Sequence, residues 1–364
     1  MKYLIPSFTG LGNMIQKTPM INKIHELDQE ASIDLIGNNR TTAMEILKDS
    51  PLIFESKMLP TKVNLKIILH TIGWINRRKY DVIFLPFSST PVWLYFAINF
   101  CNAKKIVQHT NFTSMGKVDK INFLLMPIKL SKKIPVPILT GRHEIDLYFD
   151  LIQAFFPKPI ERNHKSFVHF KKNHDVIKEY GIRHPYICIQ VGAGNGIETP
   201  KKWPVENIEG LINLMNKHYS GITIVVVGTK KDLTPEVVSV LNKYTSIINV
   251  AGATSFSQLA NIIVGAKLVI CNDSGIMHVA NALSVQLIAL YGPTDYTRTA
   301  PLGKMSVMMR EDLDCMPCMF NGQISEQEAY RRCSHKLCMY SLNSKMVFEV
   351  ASKLLESDGL KMSS

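Results

Sequence analysis

Several features that would sort this 364-residue chain into a class at once are missing from it. It has no Lys- or Arg-rich tail and no RNA- or DNA-binding motif, which argues against nucleic acid as a partner. No internal repeat and no low-complexity tract is visible, which excludes solenoids and arrays. Met1-Lys2-Tyr3-Leu4-Ile5-Pro6 is too short, and too soon broken by Pro6, to act as a secretory signal. The longest uncharged run, Val82 to Ala103, is interrupted by Pro86, Ser88, Ser89, Thr90 and Pro91. Strand, loop and helix therefore fit it better than a membrane span. Seven cysteines, an odd number, argue for reduced thiols rather than a disulfide framework. Acidic residues are also in short supply. Thirty Asp and Glu face 42 Lys and Arg, giving a formal net charge of +12. Such a surface favours phosphorylated small molecules or anionic lipid head groups as partners. A cytoplasmic protein that touches the inner face of the membrane electrostatically is the expectation.

What is present is a repeated rhythm of short apolar strands and amphipathic helices. In the first half, strands fit Tyr3–Ile5, Ile33–Ile36, Val82–Leu85 and Ile106–Gln108. Helices fit Met14–Leu27, Thr42–Leu47, Leu65–Arg78, Val92–Asn102 and Glu144–Phe155. In the second half, strands fit Tyr186–Gln190, Ile222–Val227, Ile247–Val250, Leu268–Cys271 and Leu287–Leu290. Between them run helices at Val205–Tyr219, Thr234–Tyr244, Ser257–Val264 and Ile276–Leu283. This alternation predicts an α/β protein of two doubly wound, Rossmann-like domains, 1–160 and 175–340, with a linker in 155–175. A last helix within 341–364 is expected to pack back on the first domain.

The richest stretch is Asn272 to Asp295. The buried strand Leu268–Cys271 runs into Asn272-Asp273-Ser274-Gly275, a cluster of capping residues. A helix carrying His278 follows, then a second strand that stops at Gly292-Pro293-Thr294-Asp295. This is one parallel βαβ unit, and its loops open where such sheets bind ligands. The free N–H groups at the helix start make a natural seat for a diphosphate. Val191-Gly192-Ala193-Gly194-Asn195 follows the strand Tyr186–Gln190, and a polar stretch leads on to Lys201-Lys202-Trp203-Pro204. A lysine there can neutralise a leaving phosphate. The plain alternative is a solvated lysine pair with Trp203 packed beneath it. Near the start, Ser7-Phe8-Thr9-Gly10-Leu11-Gly12-Asn13 lies between a strand and a helix. Its glycines either let the backbone approach a ligand or merely make a tight turn.

Taken together, Lys201-Lys202-Trp203-Pro204, Asn272-Asp273-Ser274-Gly275-Ile276-Met277-His278 and Gly292-Pro293-Thr294-Asp295 resemble the signature of the family 9 glycosyltransferases. These are the heptosyltransferases of lipopolysaccharide core synthesis and their relatives. The resemblance extends to Gly12 with Thr18-Pro19, to Arg77-Arg78-Lys79-Tyr80-Asp81 and to His143-Glu144, and so spans nearly the whole chain. It implies a GT-B architecture with the site in the cleft between two Rossmann-like domains. The C-terminal domain would hold a nucleotide-sugar, ADP-heptose most commonly. The N-terminal domain would present a lipopolysaccharide core or related glycolipid acceptor. An inverting direct displacement is implied, with no obligatory metal or other cofactor. Carried over by position, Gly194, Lys201, Asp273, Ser274, Gly275, His278, Gly292 and Thr294 would bind the donor, with Lys201 and Asp273 catalytic. His278 has a bland alternative as a core histidine satisfied by a backbone carbonyl. Gly12, Asn13, Arg77 and Arg78 would line the acceptor side.

One departure matters. The family places an aspartate directly after the glycine of the first loop, where it deprotonates the acceptor, and this chain has Asn13 there. A carboxamide has no lone pair basic enough for that proton. Asp295, Glu198 and His143 are candidate bases by residue type only, and the base stays unassigned. The competing readings are a catalytically silent nucleotide-sugar or glycan binder and a nucleotide-sugar epimerase on the same fold. Arg77, Arg78 and Lys79, with Lys62, Lys66, Lys104 and Lys105, make the middle of the first domain basic, as a phosphorylated core or an anionic membrane would require. Cys315, Cys318, Cys333 and Cys338 form two close pairs resembling a structural zinc site, with reduced thiols packing a loop as the alternative.

Overall fold

The computed structural model describes residues 1–38, 42–110, 132–139, 141–193, 199–319, 326–333 and 335–362. The chain divides into two compact units, Met1–His169 and Phe170–Ser364.

The first unit is a six-stranded sheet, with every strand pair parallel, in the order β3-β2-β1-β4-β5-β6. Its strands are β1 (Lys2–Pro6), β2 (Ser32–Asn38), β3 (Glu55–Leu59), β4 (Val82–Leu85), β5 (Lys105–Thr110) and β6 (Lys133–Pro137). The interior strands are apolar because helices cover both faces: Tyr3, Leu4 and Ile5 of β1 are wholly buried. Helices α1 (Leu11–Leu27), α2 (Leu65–Arg78), α3 (Val92–Ala97) and α4 (Glu144–Phe155) follow β1, β3, β4 and β6. Pro19 lies inside α1, where its missing N–H leaves the Ile15 carbonyl without its usual donor. The Thr18 hydroxyl donates to that carbonyl at 2.7 Å and accepts from the Phe167 N–H at 2.9 Å. Thr18-Pro19 is thus a self-compensating break that pins the end of the first unit to α1.

The second unit repeats the plan in the order β12-β11-β10-β7-β8-β9, again parallel throughout. Its strands are β7 (Tyr186–Gln190), β8 (Thr223–Val227), β9 (Ile247–Asn249), β10 (Val269–Asn272), β11 (Leu287–Tyr291) and β12 (Ser306–Arg310). The helices are α5 (Asp175–Glu179), α6 (Val205–His218), α7 (Pro235–Leu241), α8 (Phe256–Val264), α9 (Gly275–Ala282), α10 (Tyr296–Thr299), α11 (Glu326–Arg332), α12 (Leu337–Tyr340) and α13 (Ser344–Ser357). The chain runs outward from β7 to β9, then returns to place β10 on the other side of β7. The loops after β7 and β10 therefore flank the topological switch point, where open α/β sheets bind ligands.

The last helix, α13, places its apolar face within its own unit. Val347, Phe348, Ala351 and Leu355 repeat at helical spacing and enter the core of the second unit beside Leu211 and Met215 of α6. The Gln286 side chain also donates to the Leu354 carbonyl at 3.3 Å. In addition, the helix expected over 92–102 ends at Ala97 and tightens into a short 3-10 turn, Ile98–Phe100. The uncharged run from Val82 thus resolves into strand, turn and short helix. Among the described residues, no helix is long and apolar enough to cross a membrane.

Candidate active site

The switch point of the second unit joins residues 69 and 80 positions apart in sequence. Asn272, wholly buried at the end of β10, donates from Nδ2 to the Gly192 carbonyl at 2.7 Å and accepts from the Trp203 N–H at 3.1 Å. One carboxamide thereby locks the loop after β7 to the segment entering α6. Trp203 is buried beneath, its indole N–H donating to the Leu342 carbonyl at 2.6 Å. Lys201 does not reach into solvent. Its Nζ lies 3.0 Å from Asp273 Oδ2, with both side chains largely buried. The lysine and the aspartate picked out separately in the sequence are one ion pair.

Asp273 sits at the mouth of α9. Burial would push its carboxyl up, but the Lys201 ammonium, the Thr294 hydroxyl and the charge of His278 outweigh burial and hold it below the usual carboxylate range. His278, one turn into α9, is buried. Ser274 takes the N-cap position of α9 without capping it, because its hydroxyl donates to Gln190 Oε1 at 2.6 Å. The first N–H groups of α9 are thus left for another acceptor, and the positive end of the helix dipole faces the same place. Asp295 Oδ2 is a buried oxygen without a hydrogen-bond partner among the described residues. Burial of that kind is costly unless a ligand supplies the partner.

The glycines differ in purpose. A Cβ on Gly192 would lie 1.9 Å from Asp232 Oδ1, and Asp232 is itself buried and accepts the Thr229 N–H at 2.7 Å. Gly192 is therefore required by a close approach within the protein. The same holds for Gly292, whose Cβ would meet Met339 Sδ at 2.5 Å. Gly275 opens α9 directly after the uncapped Ser274. Gly194, with Asn195 and Glu198, lies outside the described residues.

In the first unit, Gly10 is the N-cap of α1, and Gly12 and Asn13 fall in its first turn rather than in a loop. Under that turn lies a buried polar network that sequence reasoning missed. Lys17, fully buried, donates to the Pro6 carbonyl at 2.8 Å and to Ser89 Oγ at 2.7 Å. Tyr148 donates to Glu144 at 3.0 Å, lies 2.6 Å from Ser88 Oγ, and reaches the Asn13 carbonyl at 3.5 Å. Only a lysine on the apolar face of α1 hinted at it. Burial drives the Lys17 ammonium down to about 7, with Glu144 opposing the shift. A lysine depressed in the folded state but ordinary when unfolded disfavours folding most below about pH 7. That cost is relieved as pH climbs from about 7 through the unfolded value. The thermal midpoint of the native chain should therefore gain on that of Lys17→Met between pH 7 and 9. A difference flat with pH would rule out a neutral, buried Lys17.

Arg78 is engaged within the first unit. Its guanidinium pairs with buried Asp34 at 2.7 Å, where Tyr80 also donates at 2.6 Å, and it stacks 5.0 Å from the Phe54 ring. Arg77, by contrast, is exposed. The C-terminal cysteines are free thiols. Burial and mutual repulsion raise Cys318 and Cys338, the latter to about 11. Among the described residues no group of three His, Cys, Asp or Glu is arranged to hold a metal. His143 caps α4, its Nδ1 accepting the Ile145 N–H at 3.2 Å, and Asp295 Oδ1 accepts the Thr297 N–H at 3.1 Å.

Two doubly wound units, one with a cationic, uncapped helix start at its switch point, define the class of GT-B glycosyltransferases. The model of glycosyltransferase family 9 (heptosyltransferase) matches residues 115–328, more than half of the chain, and the protein belongs to that family. The lipooligosaccharide heptosyltransferase 2 of Haemophilus ducreyi is 24% identical over 329 residues, covering 85% of this chain and 88% of that one. The solved structure of an Escherichia coli ADP-heptose lipopolysaccharide heptosyltransferase II superposes with a TM-score of 0.73 at 19% identity. It covers 99% of this chain and all of the other. The E. coli heptosyltransferase WaaC with ADP gives 0.66 at 14% identity, covering 97% of this chain and all of the other.

Proposed function

We propose that this glycosyltransferase moves a heptose from ADP-heptose to a lipopolysaccharide core or related glycolipid, with inversion at the anomeric carbon. The observation that carries the reading is the Lys201–Asp273 pair beside the uncapped start of α9. The α9 N–H groups and Lys201 would receive the donor diphosphate. Asp273, Thr294 and the buried Asp295 Oδ2 would meet hydroxyl groups of the donor. The acceptor oxygen attacks the anomeric carbon as the bond from that carbon to the β-phosphate oxygen breaks. The electron pair leaves with ADP, and Lys201 and the helix dipole stabilise the growing charge. The acceptor's proton passes to a base that Asn13 cannot be. Similarity to the H. ducreyi lipooligosaccharide heptosyltransferase 2 and the E. coli ADP-heptose lipopolysaccharide heptosyltransferase II supports the sugar, the nucleotide and the acceptor.

Asn13 favours one second reading, a relative that binds the nucleotide-sugar without transferring it. Thermal shift tests the donor site shared by both. ADP at a hundred times its Kd should stabilise the protein by about 2.7 kcal/mol, while UDP, GDP and CDP do less, and Asp273→Ala should abolish the gain. Absence of any shift with all four nucleotides would remove the donor site.

A further inference from the structure

The exposed apolar side chains of this protein are not scattered. Of 18 large ones exposed among the described residues, seven fall between Phe54 and Phe100. Leu65 and Leu69 on α2 are 70% and 59% exposed. Beside them, Val92 and Phe96 on α3 and Phe100 just after it are 41–53% exposed. The two helices are held together here. Asn76 of α2 donates to the Phe100 carbonyl at 3.4 Å and accepts from the Asn102 N–H at 2.7 Å, and the Phe96 and Phe100 rings lie 5.4 Å apart. On the other flank of α2, against the edge strand β3, lies a pocket of about 310 Å³. Met58, Ile67 and Trp74 line it, together with Lys57, Lys66 and Arg77. Large apolar patches on a protein surface commonly mark a place where it meets something.

The charge around this face says what. From Phe54 to Lys105 the chain carries eight Lys and Arg but only Glu55 and Asp81 as acids. Glu55 is paired with Arg78, and Asp81 with Lys104. Lys62 and Lys66 at the start of α2 and Arg77 at its end are all exposed. A second copy of this chain fits poorly, because a two-fold contact across α2 would set each copy's cations against the other's. Apolar side chains that enter an interface, ringed by cations that stay in the headgroup layer, match a bilayer of anionic phospholipid.

We infer that the α2–α3 face of the first unit is a docking surface for an anionic phospholipid bilayer. Leu65, Leu69, Phe96 and Phe100 enter the acyl boundary, and Lys62, Lys66 and Arg77 meet the phosphates. The inference extends the acceptor reading above, since a lipid-linked acceptor would be met at that surface. Vesicle binding needs neither donor nor acceptor, so the two readings fail separately.

The test is co-sedimentation of the full chain with vesicles of phosphatidylcholine alone and of phosphatidylcholine with 30 mol% phosphatidylglycerol (about a third anionic, the regime where surface potential matters). The native protein should bind the anionic vesicles and release them as salt rises. Leu69→Glu with Phe96→Glu should cost at least tenfold in partition, and Lys62→Glu or Lys66→Glu about fivefold or more each. All of these variants should keep the native thermal shift with ADP, which shows that they fold. Equal binding to neutral vesicles, unaltered binding by the variants, or no binding at all would overturn the inference. So would a dimer in light scattering that Leu69→Glu dissolves without any vesicle binding.

Discussion

Alanine at Lys201 should lower the turnover of sugar transfer by roughly 10²–10³-fold, as loss of a charge placed on a leaving group typically does. The reason is geometric. Lys201 is the cation 3.0 Å from Asp273 at the mouth of α9, and on the proposed reading its removal takes positive charge from where the departing diphosphate gathers negative charge. A second readout separates this role from a structural one. Burial raises the Asp273 carboxyl, and Lys201 is the leading counterweight that holds it low. Without the lysine, Asp273 should take up its proton at a higher pH. The acid limb of the pH–rate profile should therefore move upward in the variant. The stability that Asp273 contributes, present above its unfolded value and lost as pH falls through its folded value, should be lost earlier. Activity within threefold of native, with an unmoved acid limb, would mean that Lys201 serves neither purpose.

Trp203→Ala should be the most damaging single change to the second unit. A wholly buried indole lost from a packed core costs about 3–5 kcal/mol, or on the order of 10 °C in Tm for a domain of this size. Trp203 also ties the segment carrying Lys201 to the chain before α13, because its indole N–H donates to the Leu342 carbonyl. Asn207 donates to the same carbonyl at 3.2 Å, so Trp203→Phe leaves that oxygen one partner and should cost only about 1–2 kcal/mol. Denaturant melts of the two variants check the ranking. An alanine variant within 1 kcal/mol of native would mean that Trp203 is not the floor of the site.

The interior of both sheets was legible in the sequence because strands covered on both faces must be apolar throughout. The strands that escaped are three of the four edges. β3 (Glu-Ser-Lys-Met-Leu), β6 (Lys-Ile-Pro-Val-Pro) and β12 (Ser-Val-Met-Met-Arg) are half-buried and carry the charge, proline and serine that edges tolerate. The helices expected from Ser257 and Thr234 begin at Phe256 and Pro235, with Ser255 and Thr234 as their caps. The donor-side motifs could be read from residue type and order. Their joining could not, because it depends on Asn272 bridging Gly192 and Trp203. A buried asparagine at a strand end carries no mark of which loops it will tie. The partner of Arg78 could not be read for a related reason. Asp34 lies in an apolar strand 44 residues away, and only the β2 register shows that it must be neutralised from α2. Lys17 was invisible as a polar residue because a lysine in a helix reads as solvated until its burial is known.

The central claim is transfer of a sugar from a nucleotide donor held at the Lys201–Asp273 mouth of α9. The most direct measurement is mass spectrometry of a heptose-deficient lipopolysaccharide core incubated with the protein and ADP-heptose, with ADP release followed in parallel. The account predicts a gain of one heptose per acceptor, matched by one ADP, and its loss with Asp273→Asn. ADP-heptose bound but never consumed, or consumed with no change in acceptor mass, would contradict it.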